Sequence, residues 1–342
     1  MNRRALLAGL TGAVLPFATS RPAFADAEPI WSDWKARFLE ANGRVVDSLQ
    51  GNASHSEGQG YGLLLAQAFG DRDAFDAIES WTRGHLLIRD DTLMAWRWRP
   101  EEADPATADN RDWHTATDGD LFRAWGLLRA DTFSGWGDYG AEVRRIAEAL
   151  AALCLKPDPR APGEVVLTPG AEALGTPDRV LFNPSYVMPR ALRELGAYSG
   201  VTELIRAADH GETILAELAA TGLVPDWSMI TPTGFAQPEG FGTNHGYDAI
   251  RVALYLHWSG QKTHPALTQK AGVWSGAPAL PVVLTPEGQV IERSTFPGYH
   301  AIADLIACRP VAPHPDQGEP YYPATLGLLS RVARRESGLC PA

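Results

Sequence analysis

The chain has 342 residues, 45% hydrophobic and 21% charged, with 41 acidic against 30 basic side chains and a formal charge of −11. That acidic balance repels phosphate, which argues against nucleic acid and anionic lipid as partners and leaves a neutral polysaccharide indifferent. No Ser/Gly-rich linker, charge block or composition shift divides the chain, so one large domain is expected.

At the N-terminus Arg3 and Arg4 precede the apolar run Ala5 to Ala18, and Ala23-Phe24-Ala25 precedes Asp26. This is the layout of a secretory signal with a small-x-small cleavage site. The paired arginines suit a twin-arginine route as well as the general one. The apolar run is shorter than the ~20 residues a membrane span requires. Residues 1–25 are expected to be a signal peptide and 26–342 the mature domain, periplasmic or secreted after cleavage near Ala25, with no membrane insertion. Losing Arg3, Arg4 and Arg21 takes the formal charge from −11 to −14.

From there apolar residues recur at helical spacing, as in Trp31, Trp34, Phe38, then Val45 and Leu49, or Phe75, Ile78 and Trp81. Trp31 and Trp34 read as core. Further helices are predicted at 57–69, 117–130, 138–154, 184–198, 201–220, 245–258, 264–274, 298–307 and 322–336, most bounded by Gly, Pro, Asp or Ser. Residues 157–181, dense in proline and glycine, read as a long loop with a short extended piece at Val165 to Leu167. Residues 279–291 read as a loop or hairpin. About a dozen helices without a strand after each exclude a βαβ sheet and predict an all-α architecture, which a ring of helical hairpins would satisfy. Three cysteines, Cys154, Cys308 and Cys340, leave at least one thiol unpaired in a monomer. Cys308 and Cys340 can be joined in an exported protein, but buried or terminal thiols are the preferred reading.

Chemistry concentrates in three motifs. In the first, His55-Ser56-Glu57-Gly58-Gln59-Gly60-Tyr61-Gly62, Ser54 or Ser56 can cap the helix, and Glu57 shares a face with Tyr61. Each glycine in a helix costs roughly 1 kcal/mol against alanine, so three in alternation require close approach of another backbone or a ligand. A glutamate in the first turn of a helix is ordinary, and the dipole there favours its ionised form, whereas a general acid must keep its proton. Burial and a second carboxylate would have to prevail. The second motif, Thr115-Ala116-Thr117-Asp118-Gly119-Asp120, puts two acids at a helix entry, where one can cap the helix and Asp118 can hold a sugar hydroxyl. In the third, Asn244-His245-Gly246-Tyr247-Asp248-Ala249-Ile250-Arg251, Thr243 or Asn244 can start a helix that carries Asp248 in its first turn, where the dipole keeps a base ionised. Arg251, three residues on, can orient Asp248, bind sugar, or form a surface pair.

A carboxylic acid and a carboxylate flanking a bond are what glycoside hydrolysis uses, and eleven tryptophans exceed what a modest core needs. Some should face a groove, where sugar rings lie flat on them. His55, His114 and His245 flank the motifs, but no His-Glu-x-x-His or close His/Cys cluster occurs, so neither metal nor other cofactor is expected.

Together with Asn183-Pro184-Ser185-Tyr186, the three motifs resemble glycoside hydrolase family 8, in particular the periplasmic endoglucanases of bacterial cellulose-synthesis systems, across about residues 30–335. The resemblance implies an (α/α)6 barrel with an open groove, an inverting mechanism and a β-1,4-glucan substrate, with possible association with a cellulose synthase complex. It also implies Glu57 as proton donor, Asp248 as general base and Asp118 at the cleavage point. Tyr186, Arg251, Tyr247, Trp96, Trp98 and Trp113 are implied as groove residues. Arg123-Ala124 departs from the small or aliphatic pair usual in the family, a change expected to alter the outer packing of that helix. The rival readings are a family member acting on chitosan, xylan or mixed-linkage glucan, a non-cleaving glycan-binding accessory of polysaccharide export, and a lyase on a similar barrel.

Overall fold

The computed structural model describes residues 28–100, 113–310 apart from 174, and 318–340. The proposed signal segment lies outside them. Eleven helices are present among the described residues: α1 (Glu28–Phe38), α2 (Ser56–Phe69), α3 (Arg72–His85), α4 (Thr117–Arg129), α5 (Gly140–Leu153), α6 (Pro189–Ser199), α7 (Thr202–Thr221), α8 (Tyr247–Trp258), α9 (Pro265–Trp274), α10 (Pro297–Ile306) and α11 (Tyr321–Ser337). None of them is long and apolar enough to cross a membrane.

Burial sorts them into two layers. In α2, α4 and α8 nearly every residue is buried, whereas α1, α3, α5, α7 and α9 each bury one face. Contacts run α2 to α4 to α6 to α8 to α10 to α11 and back to α2, so six inner helices close a ring, and the others pack outside it. This is an (α/α)6 barrel. Five of the inner helices, α2, α4, α8, α10 and α11, begin at the same end, whereas α6 begins near the other, where Arg190 N donates to Ser259 Oγ just past the end of α8. Ser56 and Gln67 of α2 lie against Gly119 and Arg129 of α4. Likewise Gly298 near the start of α10 meets Pro323 near the start of α11, while Cys308 and Cys340, just past their ends, are joined. Between α10 and α11, where alternation would put an outer helix, the described residues contain none.

Close approach of α2 and α4 accounts for one of the three alternating glycines, Gly60, and for Gly119 opposite it. A Cβ on Gly60 would sit 2.9 Å from the Gly119 carbonyl oxygen, and one on Gly119 would sit 2.2 Å from Ser56 Oγ. Another backbone, rather than a ligand, therefore demands glycine there. Below this contact the barrel axis is filled in layers. Tyr61 and Tyr255 hydrogen-bond through their hydroxyls beside Phe122, Trp125 packs tilted against Trp258 with ring centroids 5.1 Å apart, and Arg129, Arg190 and Glu336 close the far end. Arg123 is wholly buried and pairs with Glu79 of α3 at 2.6 Å and Glu142 of α5 at 3.0 Å, so the sequence departure at this position becomes an ionic tie from α4 to the outer layer.

The strands are short and antiparallel: β1 (Ser54–His55) with β2 (Arg97–Trp98), β3 (Leu155–Pro157) with β4 (Val165–Leu167), β5 (Gly175–Thr176), β6 (Arg179–Phe182), β7 (Ser228–Thr231) and β8 (Gly234–Ala236) in one sheet, and β9 (Leu280–Leu284) with β10 (Val290–Ser294). The hairpin near 279–291 and the piece at Val165 are as expected from sequence.

Several expectations are corrected. Val45 and Leu49 do not continue an α-helix, since the chain turns back after α1 in a bridge of Leu39 to Val45 and Leu49 falls in a 3-10 turn at Ser48–Gln50. The helix expected at 184–198 is a 3-10 turn at Pro184–Tyr186 followed by α6, because Pro189 can open a helix but cannot continue one. Neither Ser54 nor Ser56 caps α2: His55 holds the cap position without a side-chain bond, and Ser54 Oγ accepts from Arg44 instead. Gly246, not Thr243 or Asn244, precedes α8. The preferred reading of Cys308 and Cys340 as thiols is also overturned, because the shared direction of α10 and α11 brings two residues 32 apart to a Cα distance of 5.1 Å. Cys154 is free and buried, its thiol pushed up to about 12 by desolvation.

Candidate active site

With α2, α4, α8, α10 and α11 pointing the same way, their N-termini gather at one end of the barrel, each carrying a partial positive charge and unpaired N–H groups. Glu57 begins α2, Asp118 begins α4 and Asp248 begins α8. Residues 57, 118 and 248, separated by 61 and 130 positions in sequence, thus become neighbours.

Arg251 binds all three. Its side chain is 2% exposed. Nη1 donates to Glu57 Oε2, to Asp118 Oδ2 at 3.1 Å and to Tyr61 Oη at 3.2 Å, while Nη2 donates to Asp248 Oδ1 at 2.7 Å and Ser185 Oγ at 2.7 Å. Glu57 and Asp248 therefore sit on the two arms of one planar fork, whose geometry suits carboxylates. The other oxygen of Asp248 accepts from Asn183 Nδ2 at 3.1 Å, and Asn183 itself is held by Ser185. Of the three ways open to Arg251 in the sequence, orienting carboxylates is the one the structure displays.

Three carboxyls around one cation leave negative charge uncompensated, and burial decides where it is felt. The Asp118 side chain is 2% exposed, against 19% for Glu57 and 31% for Asp248. Burial first, and the neighbouring Glu57 carboxylate second, push Asp118 well above the usual carboxylate range despite Arg251. Asp118 and Glu57 share the Nη1 donor of Arg251, so the two carboxyls are neighbours. Asp120 caps nothing. Its Oδ1 accepts from Met94 N at 2.8 Å, and burial raises its carboxyl too.

Three cavities join into one trench across this end. A central one of about 400 Å³ is lined by Gln50, His55, Glu57, Trp96, Asp118 and Tyr186. It shares Trp96 and Tyr186 with one of about 900 Å³ that adds His114, Trp227 and Phe241. On the other side it shares Gln50 and Glu57 with one of about 1100 Å³ that holds Tyr247, Asp248, Glu292, Tyr299 and Tyr322. Exposed Phe241 stands at one extremity and exposed Leu49 and Tyr247 at the other, so the trench opens to solvent at both ends.

Of the residues singled out in the sequence, Glu57, Asp118, Asp248, Arg251, Tyr186, Tyr247 and Trp96 meet here. Trp96 is fixed by backbone bonds from Ser56 N to its oxygen and from its N to His114 O. Trp98 lies instead against Trp81 and beneath Arg44, and Trp113, half exposed, stacks on His114 beside the trench; neither lines the three cavities. Sequence reasoning passed over Trp227, Phe241, Tyr299, Tyr322, Asn183 and Ser185 as site residues. The paired Tyr321-Tyr322 after a proline was the visible hint for one of them. His245 is buried and accepts from Lys270 Nζ at 2.6 Å, and burial depresses the two groups to about 3 and about 7.

A model of glycosyl hydrolases family 8 matches residues 11–336. A probable endoglucanase of Novacetimonas hansenii is 33% identical over 347 residues, covering 97% of this chain and 98% of its own length. Among solved structures, endoglucanase Cel10 of Klebsiella pneumoniae, a family 8 glycosyl hydrolase, superposes with a TM-score of 0.80 at 29% identity, over 90% of this chain and 99% of that one. The endo-β-1,4-glucanase CMCax of Acetobacter xylinum superposes with a TM-score of 0.77 at 30% identity, over 93% and 100%. Likeness that runs from α1 to the last turn of α11 is likeness of the whole barrel, and this chain belongs to glycosyl hydrolases family 8.

Proposed function

We propose that the chain is an inverting endo-β-1,4-glucanase, with Glu57 as proton donor and Asp248 as the base that activates water. The observation that carries this reading is the pairing of Glu57 and Asp248 on one buried guanidinium midway along an aromatic trench. An inverting enzyme needs room for water between base and sugar, with carboxyls ~6.5–9.5 Å apart, whereas a retaining one brings them to ~5 Å. Asp118, whose hold on a proton is strengthened by burial and by the Glu57 carboxylate, contacts the sugar at the cleavage point beside Glu57. Trp96, Tyr186, Trp227 and Phe241 on one side, and Tyr247, Tyr299 and Tyr322 on the other, offer ring faces and hydroxyls to successive sugars. A trench open at both ends accepts an internal stretch of chain, which supports endo cleavage.

The same reading places the mature enzyme outside the cytoplasm, trimming or releasing glucan beside a cellulose synthase. It rests on the N-terminal pattern and on the resemblance. N-terminal sequencing of the exported protein, expected to begin near Asp26, checks the first part. Proton NMR of cellopentaose cleavage checks the mechanism: the α-anomer must appear first. An initial β-anomer, or no cleavage, overturns the assignment.

A further inference from the structure

Asp226, on the loop between α7 and β7, approaches the start of α8 from outside. Its Oδ1 accepts from Gly246 N at 3.0 Å and from Ala249 N at 2.8 Å, two of the free N–H groups of that terminus. A Cβ on Gly246 would lie 2.4 Å from Asp226 Oδ2, so glycine is what lets the carboxyl reach the helix. The residues leading into α8 are clamped as well. Asp226 N donates to Asn244 O, and His245 and Leu284 exchange both backbone bonds. The His245 ring lies between Val224 O and Lys270 Nζ. Between Gly246 and Ala249 stand only Tyr247 and Asp248. Asp226 therefore grips the single turn that carries the proposed base.

We propose that Asp226 is a positioning residue for Asp248, acting through the acceptor oxygen that fixes the first turn of α8, with Gly246 as its obligatory companion. The inference rests on the proposed role of Asp248. The groups facing Asp226 are Asp248 and Arg251 of α8, Lys270 of α9 and His245 beside it. Because the grip needs an acceptor rather than a charge, protonation of Asp226 leaves it intact.

The experiment compares wild type, Asp226→Ala, Asp226→Asn and Gly246→Ala on cello-oligosaccharides, with kcat and KM determined per folded molecule. A misplacement of about 1 Å can cost ~10²-fold in rate. Asp226→Ala and Gly246→Ala should each lower kcat by about that factor with KM nearly unchanged, and the double variant should be no worse than either, since both break one interaction. Asp226→Asn, which keeps the acceptor, should recover most of the rate. Azide, a nucleophile that needs no base, should raise turnover of Asp226→Ala on an activated aryl cellobioside far more than that of wild type. Unchanged kcat in folded Asp226→Ala, additive losses in the double variant, or no azide response overturns the inference. An inactive wild type overturns the proposed function instead.

Discussion

The two ends of the barrel are built from the same residue types and used oppositely. At the end where five inner helices begin, Glu57, Asp118 and Asp248 crowd one arginine. At the other, Arg129 and Arg190 share Glu336, with Glu194 also held by Arg190 and by Trp125. Charge there is matched, and Arg129 lies at the C-terminus of α4, where the dipole favours it. Matched charge ties helices together. Surplus charge, retained at a cost in stability, has to be explained by what the surface does.

The contrast breaks first if the crowded end proves dispensable. Glu57→Gln and Asp248→Asn should each lower hydrolysis of soluble cellulose by about 10³-fold, within the range general acid–base catalysis contributes, while circular dichroism and melting stay close to wild type. Near-normal reducing-sugar release from either variant would put the chemistry elsewhere.

The far end should show the reverse pattern. Burial alone would raise the Glu336 carboxyl, but Arg129, Trp258 Nε1 and Arg190 hold it below the usual glutamate value. A depressed carboxylate contributes stability above its unfolded pKa of ~4.3 and loses it as pH falls through the folded value. Glu336→Gln should therefore destabilise by roughly 2 kcal/mol near pH 7, in the range of charged hydrogen bonds, and by progressively less below pH 4. Activity per folded molecule should not change. A fall in kcat without a fall in melting temperature would erase the distinction between the ends.

Much of this was legible beforehand. Helix positions followed from apolar spacing, and Glu57, Asp118 and Asp248 stood out because glycines and aromatics surrounded them. What periodicity could not convey was direction and contact at long range. The role of Arg251 depends on Glu57 and Asp118, 194 and 133 positions away in sequence, and the disulfide depends on α10 and α11 running the same way. The four-stranded sheet was missed because its strands are two to four residues long, too short to show alternation. Asp226 carried no local signal, since a cap supplied from 20 residues upstream leaves the helix sequence itself unmarked. The alternating glycines were noticed, yet a neighbouring helix and a ligand predict the same pattern, and only coordinates separate them.

The finest test lies within the crowded end. Asp118 is raised by burial and by Glu57, so its folded pKa exceeds the unfolded one. Linkage then runs opposite to that at Glu336. The contribution to stability is full below the unfolded value of ~3.9 and is lost as pH rises toward the folded value. Asp118→Asn removes the ionisable group but keeps its shape, so it should raise the melting temperature near neutral pH, by roughly 2 °C for each kcal/mol released, and change it little at pH 4. The same variant should slow hydrolysis, because the carboxyl proposed to contact the sugar at the cleavage point has gone. A gain in stability joined to a loss of rate is expected where a fold retains charge for chemistry. If Asp118→Asn instead lowers the melting point at pH 7, Arg251 outweighs burial and Glu57 in setting the state of that carboxyl, and this end of the barrel is as well matched as the other.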